Sequence, residues 1–471
     1  MSVIEKFEEK LPRSSKMAFG GAQLAGNILG NISMVAITYY YNIILGLSAA
    51  WISIGWVIFL VWNTLNDPII GYLEDRIHSE KYGRRIPVIR FGAPFFALAF
   101  IICWIPLVDI NDQFALFIYF VFVLFAIDTM ITIVLMITWI LPAEMAISSK
   151  ARGKLMTYGG VASTFASFIS LAIPILLFTG TEKKGINLDL IVFMTIIGII
   201  CGIILFASSY YLTENKFAIM EEPMGFIEGI KTTFKNKPFN LYLIPYFCFY
   251  FAQQILGTAV FYYIDFVLQV SGILAIIPII VFFLMLILFL PVWYKVVLKI
   301  GLKNAFMTSL IILGIGFTSF FLIGWVYITA FIGLMALGAA FSGFYLMVQM
   351  VFGDVVDYDE LKTGKRRETT YAGIEALVQK PAISIAPAIF IWVILAFGFN
   401  ETATTQTANA QLGIMLAFTI IPGIVLLIGG LCVKFYPLGG PEWMKQKEEL
   451  KKIHEEKEAK YLQFLKEKGA I

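Results

Sequence analysis

The chain has 471 residues, of which 59% are hydrophobic and only 14% charged, with a formal net charge of +3. Soluble domains carry about twice that share of charge, so a set of water-soluble domains is excluded, and the small net charge gives no footing for nucleic acid. Phe alone occurs 43 times, as expected of a surface that faces lipid.

The first residues, MSVIEKFEEKLPRSSK, put Glu5, Glu8 and Glu9 where a secretory signal would be basic, and no small-residue cleavage site follows. Ile4, Phe7 and Leu11 share one helical face, so 1–16 is expected to be a cytoplasmic amphipathic segment lying on the membrane. Apolar segments of roughly 20 residues or more, enough to cross a bilayer, run near 17–47, 49–74, 86–108, 113–142, 154–178 and 188–212. They resume near 238–269, 271–298, 303–323, 325–353, 370–398 and 410–436. The expectation is an all-α integral membrane protein of about twelve transmembrane helices. They would form two six-helix bundles, 17–212 and 238–436, joined by a cytoplasmic linker at 213–237 and followed by a charged tail at 437–471. The mixed charges of that tail, at helical spacing, read as a solvated helix.

Lys and Arg cluster after the second, fourth, eighth and tenth spans, at Arg76, Lys81, Arg84, Arg85 and Arg90, at Lys150, Arg152 and Lys154, at Lys299 and Lys303, and at Lys362, Lys365, Arg366 and Arg367. The opposite loops are nearly bare, which predicts that both termini are cytoplasmic. The halves also repeat. Tyr40 stands 28 residues before Pro68, and Tyr263 stands 28 residues before Pro291. Parallel repeats of this kind belong to two-bundle transporters with a midplane site between the bundles. Cys103, Cys201, Cys248 and Cys432 lie in apolar runs, too far apart for a zinc or redox motif, and read as small buried hydrophobes. No metal or cofactor is expected.

Ionisable groups at bilayer depth are costly unless they face protein or water. Asn63 and Asp67 lie one turn apart on the second span, with Gly71 and Asp75 continuing the stripe; Gln23, Asn27 and Asn31 form a similar stripe on the first. Asp128, Thr132, Leu135 and Trp139 share a face of the fourth span. Gln253 and Gln254 stand on the seventh, Tyr345 and Gln349 on the tenth, and Glu375, Gln379 and the mid-span cation Lys380 on the eleventh. Asp67, with Asn63 or Asn66 and Thr132, offers the hard oxygens a cation takes, and a lysine at similar depth can balance the carboxylate when no ion is bound. Polar glue between helices is the alternative for Asn31, Gln253 and Gln349. In the loops, Gly71, Asp75, Arg76, Arg84 and Arg85, then Glu144 and Arg152, then Asp354, Asp357 and Arg366, are candidates for a cytoplasmic gate closed by ion pairs.

The segments NDPIIGYLEDR, WILPAEM and GDVVDYDELKTGKRRETTYAGIEALVQK resemble the glycoside–pentoside–hexuronide:cation symporters, a branch of the major facilitator superfamily. The resemblance implies the major facilitator fold, a multi-pass place in the cell membrane, and symport of a small sugar-like solute with H+ or Na+ by alternating access. It puts the family's cation carboxylates on Asn63 and Asp67, its asparagine on Asn66, its threonine on Thr132 and its essential lysine on Lys380. Glu375 takes the place of a nearby polar residue, and Trp139 and Tyr345 those of the site aromatics. One cation carboxylate has become Asn63, and the galactoside-gripping aspartates correspond to Asn27 and Leu135. The expectation is therefore a proton rather than a sodium ion at Asp67, with Asn27, Asn31, Asp128, Trp139, Gln253, Tyr345, Glu375 and Lys380 facing the solute. A monomer in the bilayer is expected, with no enzymatic activity. Transport of a lysophospholipid, or solute sensing without flux, are the rival functions.

Overall fold

The computed structural model describes residues 11–74, 85–146, 149–180, 185–212, 233–364, 367–440 and 442–450. It is built of long helices: α1 (Arg13–Tyr39), α2 (Ala49–Glu74), α3 (Ile86–Trp104), α4 (Gln113–Met145), α5 (Ser149–Phe178) and α6 (Leu188–Ser208). A second set follows: α7 (Lys237–Tyr262), α8 (Ile273–Ile300), α9 (Leu302–Ile323), α10 (Tyr327–Thr363), α11 (Glu368–Ala396) and α12, which covers Ala408–Phe435. Among the described residues, eleven helices are long and apolar enough to cross a membrane. The twelfth, α1, is 27 residues long and carries the polar stripe Gln23, Asn27 and Asn31.

Local chemistry sets the helix ends. The side chains of Asp112, Asn187, Asn236 and Thr407 cap the first turns of α4, α6, α7 and α12 by accepting backbone N–H bonds there. Gly364, at φ 71°, closes α10 in the left-handed conformation that glycine adopts without a Cβ penalty. Between α9 and α12 the backbones nearly touch, since a Cβ on Gly314 would lie 2.9 Å from the Gly423 carbonyl oxygen. Two glycines facing each other permit that approach. Large apolar side chains such as Phe95, Ile203, Leu298 and Leu322 stay exposed, a surface suited to lipid.

The repeat is visible in matched contacts. Tyr40, just past α1, donates its hydroxyl to the Trp104 carbonyl at the end of α3 (2.6 Å), and Tyr263, just past α7, donates to the Gly324 carbonyl after α9 (2.5 Å). Both helices finish in a π turn, Tyr40–Ile44 and Tyr263–Leu268. Among the described residues the two sets meet chiefly where α2 lies against α11, α1 against α7, and α5 against α8.

The start of the tail, 442–450, exposes most of its residues, as expected of a solvated helix, but docks one face. Trp443 is buried, packs edge-on to Tyr358 and donates its indole N–H to Asp354 at 2.8 Å, and Lys447 forms an ion pair with the same carboxylate. The apolar Trp443 and Leu450, both buried, drive the docking that a charge count overlooks.

Candidate functional site

The seam between α2 and α11 buries a compact polar cluster. On α2 the four-residue spacing of Asn63 and Asp67 turns both toward α11, while Asn66 is turned toward α4. Lys380 on α11 places its Nζ 2.5 Å from Asp67 Oδ1, 3.4 Å from Thr132 Oγ1 and 3.9 Å from Asp128 Oδ1. Thr132 donates its hydroxyl to Asp67 Oδ1 at 2.8 Å. Asn66 donates from Nδ2 to Asp128 Oδ2 (2.8 Å) and to Thr132 Oγ1 (3.0 Å). Asn63 donates to the Lys380 carbonyl (3.2 Å) and to Ser384 Oγ (2.9 Å), clamping the backbone that carries the lysine. Asn63, Asn66, Asp128 and Thr132 are each at most 4% exposed.

Three helices thus hold two carboxylates and one ammonium in a single network. Asn63, Asn66, Asp67 and Thr132, expected at the cation site, lie together with Lys380. Asp128, expected as a solute contact, shares Asn66 and Lys380 with Asp67 instead. Ser384, absent from the sequence candidates, stands one turn beyond Lys380 and also donates to its carbonyl.

The other candidate solute residues lie apart from this cluster. Glu375 is buried and accepts from the Tyr242 hydroxyl, and Gln379 accepts from Tyr246 at 2.9 Å. Tyr246 in turn lies against Tyr250, with ring centroids 4.6 Å apart. Tyr345 packs edge-on to Phe249, and Gln253 keeps a buried Oε1 with no hydrogen-bond partner. In the first half, Asn27 is tied to Gln23 and Ser163, Asn31 is half-buried, and Trp139 is 66% exposed. Tyr242, Tyr246 and Ser163 had no sequence signal beyond their residue type.

Of the gate candidates, Asp75, Arg76, Arg84 and Arg366 lie outside the described residues, as do the surroundings of Gly71 and the side chains of Glu144 and Arg152. Arg85 and Asp357 are half-buried. Two second-half ion pairs lie within the described residues. Asp359 takes two bonds from Arg367, at 2.6 and 2.9 Å, and Asp354 pairs with Lys447.

Helices of this length in two matched sets, with a partly buried ion pair across the seam, define a multi-pass membrane transporter of the major facilitator fold. The family model described as MFS/sugar transport protein matches residues 18–440, and the chain belongs to that family, in the glycoside–pentoside–hexuronide symporter branch its motifs resemble. These are transporters, not enzymes, and the chain is a multi-pass protein of the cell membrane. It is 24% identical to an uncharacterised symporter of Synechocystis sp., over 91% of this chain and 95% of that one. A glucuronide carrier protein homologue of Escherichia coli is 22% identical, over 88% of this chain and 90% of that one. The crystal structure of a D-xylose–proton symporter superposes with a TM-score of 0.67 at 17% identity, covering 90% of this chain and 98% of that one.

Proposed function

We propose that this chain is a symporter that moves a small sugar-like solute, a sugar, glycoside or uronide, with one monovalent cation by alternating access. The bundles 17–212 and 238–436 are the moving bodies, the segment 213–237 is their linker, and the Lys/Arg-rich side with both termini is cytoplasmic. The observation that carries this is the ion pair Asp67–Lys380 across the seam, with Asp128 as a second carboxylate 3.9 Å from the same ammonium.

With both carboxylates ionised, two negative charges face one positive charge, so the cluster is one positive charge short. Burial makes that shortfall costly, and a transported cation removes it. Asp128 makes good the charge absent at Asn63. The coupling ion we infer is a proton. Lys380 Nζ occupies the gap between Asp67 and Thr132 in which a sodium ion would gather its oxygens, whereas a proton needs no coordination shell. Glu375, Gln379, Gln253 and Tyr345 on one side, and Asn27, Asn31 and Trp139 on the other, are the residues we assign to the solute. The sugar class draws support from the description of the family and from the glucuronide carrier homologue.

Proteoliposomes loaded with the purified protein test this. A panel of labelled glucuronides, pentosides and hexoses should include one that accumulates under an imposed pH gradient. Accumulation driven by a sodium gradient alone would replace the proton by sodium, and accumulation of lysophospholipid with no sugar competition would replace the solute class.

A further inference from the structure

We propose that Tyr39, Asp265, Tyr262 and Asn42 form a reciprocal double latch that shuts the Lys/Arg-poor mouth between the two bundles, with the Asp265 arm as its stronger half. Tyr39 is the last residue of α1 and Tyr262 the last of α7. Each phenol crosses the seam to a residue three positions beyond the other tyrosine. Tyr39 donates its hydroxyl to the Asp265 carboxylate, and Tyr262 donates to Asn42 Oδ1 at 2.9 Å. The two rings meet edge-to-face, 5.2 Å apart. All four residues are buried, and both acceptors lie within the π turns that end α1 and α7. Such turns recur at functional positions.

The two arms match in geometry and differ in chemistry. Asn42 is a neutral acceptor, fixed within its own half by a bond from its Nδ2 to the Leu47 carbonyl (2.8 Å). Asp265 is a carboxylate of the second half, gripped by donors from the first that include the Tyr39 hydroxyl and the Gly180 backbone N–H at the end of α5 (2.8 Å). Hydrogen bonds to an ionised acceptor are about twice as strong as neutral ones. Opening this mouth separates α1 and α5 from α7, so it breaks both of these Asp265 bonds and the Tyr262–Asn42 bond together. A set of bonds lost as a unit gives a two-state gate. The latch depends on the alternating-access reading for its use in transport but not for its geometry, and its test needs no solute.

The test is electron–electron distance measurement on the full chain in lipid nanodiscs, with spin labels at Asn111→Cys in the first half and Thr405→Cys in the second, both exposed at this end. Asp265→Asn keeps the shape but turns an N–H2 toward one of these donors. It should raise the long-distance, open population roughly tenfold, the effect of losing one charge-assisted bond. Tyr39→Phe removes only the hydroxyl, keeps the ring packing and should act in the same direction, which covers the case in which Asp265→Asn fails to fold. Tyr262→Phe should shift the population less than Tyr39→Phe. Unchanged distances in both Asp265→Asn and Tyr39→Phe would overturn the latch. A larger shift for Tyr262→Phe than for Tyr39→Phe would overturn the ranking of its arms. Absence of gradient-driven uptake with these shifts intact would count against the symport proposal and leave the latch standing.

Discussion

Lys380 reaches from α11 across the seam to Asp67 on α2, with Nζ 2.5 Å from Oδ1, while Asn63 on α2 holds the Lys380 backbone carbonyl at 3.2 Å. One helix of the first half therefore grips both ends of the same residue in the second. Lys380 thus joins the charge state of the cluster to the approach of the halves, the link that the proposed symport needs.

Replacement of Asp67 follows from this coupling. Asp67→Asn leaves Lys380 with Asp128, so the site becomes neutral without an external cation. Gradient-driven accumulation in proteoliposomes should disappear, while exchange of labelled for unlabelled solute, which needs no net cation movement, should persist. Accumulation at the wild-type level would remove Asp67 from the coupling step.

Much of this cluster was legible in the sequence because a charge at bilayer depth demands a reason, and Asp67 and Lys380 stood out on that ground alone. The face that joins Asp128 to Thr132 was legible too. Its role was not, because Asn66 bridges Asp128 to α2 and spacing along one helix cannot reveal a bridge between two. Ser384 was silent because a buried serine inside a span commonly bonds its own helix, as it also does here. Asp265 lies near the end of the apolar run 238–269 and is absent from the candidates, although the offset that pairs Tyr40 with Tyr263 also pairs Asn42 with Asp265. The docked tail escaped notice because two apolar residues, Trp443 and Leu450, are hidden among many charges.

Asp128→Asn makes the same change of charge from the other carboxylate. Here Asp67 keeps Lys380 neutral, and Asn66 retains an oxygen acceptor at position 128. Accumulation should be lost as in Asp67→Asn, with binding of the solute, read by ligand-induced thermal stabilisation, changed less than threefold. A large loss of solute binding with coupling intact would return Asp128 to the solute site.

Lys380→Met leaves Asp67 and Asp128 buried without their shared ammonium. Removing one member of a buried pair typically costs about 3–5 kcal/mol, so the melting temperature in detergent should fall well below that of either aspartate variant. Adding Asp67→Asn to Lys380→Met should recover part of the loss, because one buried charge then remains where there were two. If the double variant melts below Lys380→Met, the charge balance drawn here is wrong.

Gly423→Val tests a close helix approach. A Cβ at this position meets Thr318 Cγ2 at 2.6 Å and the Gly314 carbonyl oxygen at 3.1 Å, so α9 and α12 must separate. Overpacking of this kind costs about 1–3 kcal/mol, and the loss should show in thermal unfolding without altering which gradient drives transport.

The docked tail supplies the last test. Asp354 is 5% exposed and is held by the Trp443 indole and the Lys447 ammonium, both from the tail. Ending the chain at Gly440 removes both donors and leaves a carboxylate in a buried place built for them. Losing partners from a buried charged group costs more than the ~1–3 kcal/mol of a neutral one, so the truncated protein should melt several degrees lower. Asp354→Asn in the truncated chain removes the charge and should restore most of that loss, whereas in the full chain it should destabilise by breaking the pair with Lys447. Equal effects of Asp354→Asn in both backgrounds would show that the tail does not partner this residue in the folded protein.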